Sequence, residues 1–304
     1  MNRRILSDLF AVDHPDDLLR EVLTFCSLPG STPEGYLIAQ AYHMARRLYQ
    51  GQLEGYCGCD TAYHDFAHAA ETFLAMARLL HGARVSLEDV TPRDFVVGLT
   101  AAIFHDAGYI RTSSETAGTG ARYRADHESR SMIFVDRHGR ALGLQVQEVE
   151  SAQSMIQATM MAQDVNTTSF PSETHELLAR MLSVADLIAQ LSNATYLERL
   201  SRLYGEDRDS QAPRYKDLLE CYQRAITFDK QARLRLQHHL EQADAFLAKH
   251  FTARWQVPIN LYKVSMDRQI QFLTQAIACN TFEPRRHLRR WGSLRTGQMR
   301  MSSL

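Results

Sequence analysis

Tyr63-His64-Asp65-Phe66-Ala67-His68-Ala69-Ala70-Glu71 sets two histidines four residues apart, at the head of a stretch that reads as a helix over about 63–80. Residues at i and i+4 share a helical face, so His64 and His68 are expected to open into one pocket. Downstream, the doublet His105-Asp106 and the lone carboxylate Asp186 each stand inside an apolar run. A charged aspartate there is costly unless it is paired or bound to a cation. Taken singly, each residue has an ordinary explanation, because the chain holds 13 histidines and a buried aspartate often caps a helix or pairs with arginine. The ordered set H-x3-H, HD, D on predicted helices points instead to a metal site assembled from several helices. Imidazole and carboxylate together suit zinc, manganese or iron, and carboxylate also suits magnesium.

The rest of the chain reads as all-α. Strand signals are nearly absent, and apolar residues recur at spacings of three and four. The expected helices cover about 16–28, 33–49, 63–80, 91–106, 126–139, 144–163, 172–188, 214–229, 231–251 and 261–277, with breaks at 112–120, 166–171 and 205–213. No internal repeat is present. The expected organisation is one compact domain, with N-terminal helices over 1–60, a catalytic core over 61–280 and a basic tail over 281–304.

Length and composition set bounds. The chain has 304 residues, 45% hydrophobic and 23% charged, enough to bury a sizeable core. A net charge of -1 gives no whole-molecule case for binding nucleic acid or an acidic membrane. The tail, 285–300, carries six arginines and no acid, and a segment this short reads as a solvated end. Five scattered cysteines suit reduced thiols better than a disulfide framework, and Cys57-Gly58-Cys59 has no second pair at zinc-site spacing. No signal peptide is read, and no run approaches the roughly 20 apolar residues of a membrane span. The expectation is a cytoplasmic protein with a small-molecule partner, no nucleic acid and no membrane, and with a homodimer left open.

The ordered set resembles the HD superfamily of metal-dependent phosphohydrolases, whose doublet is matched by His105-Asp106. Tyr63-His64-Asp65-Phe66-Ala67-His68-Ala69 is similar to the Tyr-His-Asn-x-x-His-Ala signature of the class I cyclic nucleotide phosphodiesterases. Ala185-Asp186-Leu187 and Gln269-Ile270-Gln271-Phe272-Leu273 resemble two later segments of that family. The resemblance spans about 60–275. It implies that His68, His105, Asp106 and Asp186 hold the first of two divalent ions (Zn, Mg, Mn or Fe), with Asp106 bridging to the second. It implies that His64 is no ligand but the general acid that protonates the leaving ribose oxygen. Tyr63 and His127 would line the site, and Gln269 (or Gln271) and Phe272 would hold a purine by hydrogen bonding and stacking.

This chemistry is coherent. Two ions can lower the pKa of a bridging water and neutralise charge on the phosphoryl oxygens. A positioned imidazolium is worth roughly a hundredfold or more against a poor alkoxide leaving group. The sequence also departs from the signature: Asp65 stands for Asn, Met160 for an Asp, Asp164 for a His, and Ile188-Ala189-Gln190 for Ser-Asn-Pro. These changes spare the first ion's ligands and bear on the identity of the nucleotide. The expected activity is hydrolysis of a 3',5'-cyclic nucleotide. Hydrolysis of another nucleotide or phosphoester, di-iron oxygenase chemistry and nucleotide sensing are the alternatives.

Overall fold

Residues 66–85 carry apolar or small side chains on nearly every face, a pattern that suits a helix wrapped on all sides. The structure, a computed structural model, describes residues 15–278 except 163, 164, 166–169 and 240. Among them, helix α3 (Phe66–Val85) is the axle of the fold, buried along almost its whole length. It is sheathed by α4 (Pro92–Phe104), α7 (Glu173–Ser192) and α10 (Ala243–Trp255). The remaining helices are α1 (Pro15–Phe25), α2 (Pro33–Tyr49), α5 (His127–His138), α6 (Val146–Gln157), α8 (Tyr196–Asp209), α9 (Leu218–His239) and α11 (Leu261–Ala278). No strand occurs among the described residues, only one isolated bridge between Tyr56 and Thr112. The fold is all-α, as expected. No helix among the described residues is long and apolar enough to cross a membrane.

Local chemistry sets the helix starts. Thr32 accepts from the Gly35 amide with Pro33 in the first turn, and Thr91 and Asp94 form a reciprocal capping box ahead of α4. Ser172 accepts from the His175 amide at the head of α7. Two details make the close packing around α3 possible. A Cβ on Gly82 would stand 1.9 Å from the carbonyl oxygen of Phe246, so α3 and α10 touch backbone to backbone there. Arg78, 2% exposed, lies over the rings of Phe251, Trp255 and Tyr262 and donates to the Tyr262 hydroxyl at 2.9 Å. The aromatic faces and the hydroxyl offset the cost of burying its charge.

Four expected boundaries are corrected. The histidine helix starts at Phe66, not Tyr63, because Asp65 caps it by accepting from the His68 amide at 3.0 Å. Helix α6 stops at Gln157, where the Arg235 guanidinium gathers the carbonyls of Ala158, Met160 and Met161. The stretch 205–213, read as a break, begins inside α8, whose Tyr196, Leu197 and Leu200 form a buried face. The helices expected over 214–229 and 231–251 are instead divided near 240. Helix α9 runs unbroken past Asp229, which pairs with Arg233 one turn on at 2.8 Å. The tail over 281–304, Cys279 and Asp164 lie outside the described residues.

Gly82→Ala should lower the unfolding free energy by about 1–3 kcal/mol in a denaturant titration, because the added methyl cannot be accommodated without moving α10. An unchanged midpoint would contradict the backbone contact.

Candidate metal centre and its cavity

Four elements deliver donor atoms to one point. His68 comes from the first turn of α3, and His105 from the residue that ends α4. Asp106 follows at the head of a short 3-10 turn (Ala107–Tyr109), and Asp186 comes from the middle of α7. The Nε2 of His68 lies 3.4 Å from Asp106 Oδ2 and 3.2 Å from Asp186 Oδ1, and the Nε2 of His105 lies 3.3 and 3.5 Å from the same two oxygens. Donors held about 2.0–2.2 Å from one ion lie roughly 2.8–3.6 Å apart, so the spacing fits a shared cation. His68, His105 and Asp106 are buried and could hold a metal ion.

The donor chemistry agrees with the spacing. His105 Nδ1 lies 2.8 Å from the Ala102 carbonyl oxygen, to which it donates as Nδ1–H. In its neutral form the ring would turn its Nε2 lone pair toward the carboxylates, and neither that nitrogen nor Asp106 Oδ2 has a hydrogen-bond partner among the described residues. Lone pairs facing one another in a dry site call for a cation, either a proton or a metal. Burial opposes charge here. Yet His105 holds the Asp106 carboxyl well below the usual carboxylate range, and His105 is itself held well above the usual histidine range by Asp106 and Asp186.

His127 was expected only to line the site. It opens α5 with Nδ1 at 2.9 Å from the Arg124 carbonyl oxygen, and its Nε2 faces Asp106 Oδ1 at 3.4 Å. Asp106 thus turns one oxygen to His68 and His105 and the other to His127. Gly108 makes this approach possible, because a Cβ there would meet the His127 carbonyl oxygen at 1.9 Å. The two segments are pinned by Ser131 Oγ accepting from the Gly108 amide and Arg130 donating to the Gly108 carbonyl.

His64 precedes the Asp65 cap, so it does not share a helical face with His68. The two rings nonetheless approach to 5.8 Å between centroids. What aims His64 is a residue the sequence reading missed. Glu206, buried on α8, holds His64 Nδ1 with one oxygen and accepts the amides of Tyr63 and His64 with the other, at 2.9 and 3.3 Å. Burial would lower the His64 pKa, but Glu206, with Asp106 and Asp186 behind it, holds it above its ordinary value. The apolar spacing of Tyr196, Leu197 and Leu200 was the signal that could have revealed α8. No local pattern ties Glu206 to His64. Tyr109 completes the arrangement, its ring stacked on that of His64 and on that of His127 at 4.4 Å from each. Asp65 carries no loose charge beside the donors, since it caps α3 and lies 3.4 Å from Arg199 and 3.8 Å from Arg202.

These residues floor a cavity of about 600 Å³ that includes Tyr63, His64, His68, Asp106, His127 and Asp186. The expected base-binding pair is not part of it. Gln269 spends its side-chain amide on the Asn193 carbonyl at 2.9 Å, closing the end of α7, and Phe272 is 41% exposed on α11. Gln271 is exposed as well. The cavity lining does include other amide and aromatic side chains, Gln190 of α7 and Phe228 and Gln231 of α9.

The profile of the Npun_R2479-like family matches residues 36–221. The chain belongs to this family. No curated protein and no solved structure matches it. The family segment contains His64, the four metal-facing residues, His127 and Glu206, whereas Gln269 and Phe272 lie beyond it.

Gly108→Ala should push α5 away from the doublet and lower the metal bound per chain, measured by elemental analysis after dialysis. Asp186→Asn should lower it further, by an estimated tenfold or more in affinity. Full metal content in Asp186→Asn would remove that residue from the site.

Proposed function

We propose that this protein is a metal-dependent phosphohydrolase acting on a nucleotide-sized phosphoester. The observation that carries the reading is that the His68, His105 and Asp106 cluster, with Asp186 facing both histidines, meets a carboxylate-held histidine at one cavity. His68, His105, Asp106 and Asp186 would hold one divalent ion, and Asp106 Oδ1 with His127 would contribute to a second. Such ions supply an activated water and neutralise charge developing on a phosphoryl group.

The chain's own residues account for the remaining work. With Nδ1 held by Glu206, His64 keeps Nε2 as the atom that delivers a proton to the leaving oxygen. Glu206 keeps the imidazolium protonated and fixes its direction, and Glu206 is itself held ionised against burial by His64 and two backbone amides. Tyr109 packs flat on the ring and limits its rotation. The resemblance to cyclic nucleotide phosphodiesterases keeps 3',5'-cyclic nucleotides on the substrate panel. The placement of Gln269 and Phe272 gives them no preference over other nucleotides. The approach of His127 to Asp106 also favours a second reading, a di-iron oxygenase, which iron content and oxygen consumption would test.

Metal-loaded protein should hydrolyse at least one member of a panel of cyclic nucleotides, nucleotides and simple phosphoesters. No turnover with any divalent metal would sink the proposal. His64→Ala should reduce turnover by about a hundredfold or more while metal content is kept. The acid must be protonated to act, so activity should fall as pH rises through the raised His64 pKa. Glu206→Gln removes an anion that raises this pKa, so the alkaline limb should move to lower pH. An unmoved limb would separate Glu206 from the proton transfer.

A further inference from the structure

Glu206 and Asp207 are adjacent on α8, and successive side chains on a helix diverge by about 100°. Glu206 turns to His64. Asp207, its side chain fully buried, turns to the loop over 210–217 and gathers three donors there and a fourth from Arg124. These are the Arg214 and Tyr215 amides at 2.7 and 3.2 Å, Arg214 Nε at 3.1 Å and Arg124 Nη1. Three arginines line the cavity: Arg124, Arg214 and Arg224. Arg124 spends its Nη atoms on Asp207, Ser210 and the Ala212 carbonyl, and Arg224 spends Nε and Nη2 on Glu220. Arg214 differs from both. It is anchored through its backbone amide and Nε and lies over the Tyr215 ring at 5.4 Å, while both Nη groups are without partners among the described residues.

We infer that Arg214 binds an anionic oxygen group of the substrate other than the one being cleaved, so that the preferred substrate is a phosphoester carrying a second phosphoryl group. The inference rests on the phosphohydrolase reading and narrows its substrate class. A guanidinium anchored at Nε presents its two Nη donors as a fork that matches two oxygens of a phosphoryl group. The cleaved group belongs between His64 and the metal-facing donors, on the Glu206 side. Arg214 is tied to Asp207, the residue next to Glu206 on α8, so consecutive carboxylates of one helix anchor His64 and Arg214. The half-exposed side chain, 48% accessible, is reachable from the cavity mouth.

The test is calorimetric titration of the metal-loaded protein with AMP and with the α,β-methylene analogue of ADP, whose α–β bridge resists hydrolysis, with the 5' ester of both ligands checked intact after each run, for wild type, Arg214→Gln and Arg214→Lys. The analogue should bind wild type about tenfold more tightly than AMP. Arg214→Gln should erase that advantage, and Arg214→Lys, which keeps the charge but not the fork, should retain part of it. Equal affinity for the two ligands, an advantage that survives Arg214→Gln, or binding of neither would overturn the inference. Turnover on the same samples separates the two claims. Hydrolysis without the diphosphate preference overturns this inference alone, and the preference without hydrolysis of any phosphoester overturns the catalytic reading alone.

Discussion

The carboxylate of Asp106 is 3% exposed, at the junction of α4 and a 3-10 turn, in a part of the protein packed with Phe104, Ala107 and Tyr109. A charge taken out of water at such a place costs several kcal/mol unless other charges and hydrogen bonds compensate it. Much of the architecture follows from that constraint. Helix α3 supplies His68, α4 supplies His105 and α5 supplies His127, each within 3.6 Å of an Asp106 oxygen, while α7 brings Asp186 to the first two of these histidines. Without a metal the cluster can satisfy itself only by holding protons on imidazole. With one, the same lone pairs become ligands. A metal held here would compete with protons, so its affinity would weaken as pH falls.

Precision of that kind depends on rigid neighbours. The all-round apolar surface of α3 leaves it no freedom to rotate, because α4, α7 and α10 hold it on three sides. Gly82 and Gly108 mark where backbones come closest, one in the scaffold and one at the site. The first lets α10 lie against α3, and the second lets His127 reach Asp106. A site carried on helix termini and packed helices is held more tightly than one carried on loops. The loop over 210–217 lines the cavity through Arg214 and Tyr215 and leaves the donors to the helices.

Helix α8 carries two roles on consecutive residues. Through Glu206 it orients and charges His64, and through Asp207 it ties the wall of the cavity to the same turn. Arg199, also on α8, pairs with Glu71 at 2.8 Å and donates to the Tyr63 carbonyl at 3.2 Å, so the segment before α3 is held from one side by a single element. Any movement of α8 would displace His64 and Arg214 together.

The sequence by itself determined the class of the fold and singled out the histidines and aspartates that the structure brings together. Helical periodicity is local, and an aspartate after Ala-Ala-Ile-Phe-His or amid Leu-Ser-Val-Ala announces its cost wherever it folds. Capping was half legible: Thr32, Thr91 and Ser172 stand where helices begin, but Asp65 was read as a variant signature residue and not as the cap that excludes His64 from the helix. Only the tertiary structure decided the rest. Glu206 meets His64 across 142 positions of chain, and Arg235 ends α6 from about 75 residues away, so no local pattern could announce either. Gln269 matched a base-binding motif in sequence, yet the packing of α11 against α7 committed its amide to a helix end. A short motif records which groups a side chain carries, and the packing of distant helices decides what those groups meet.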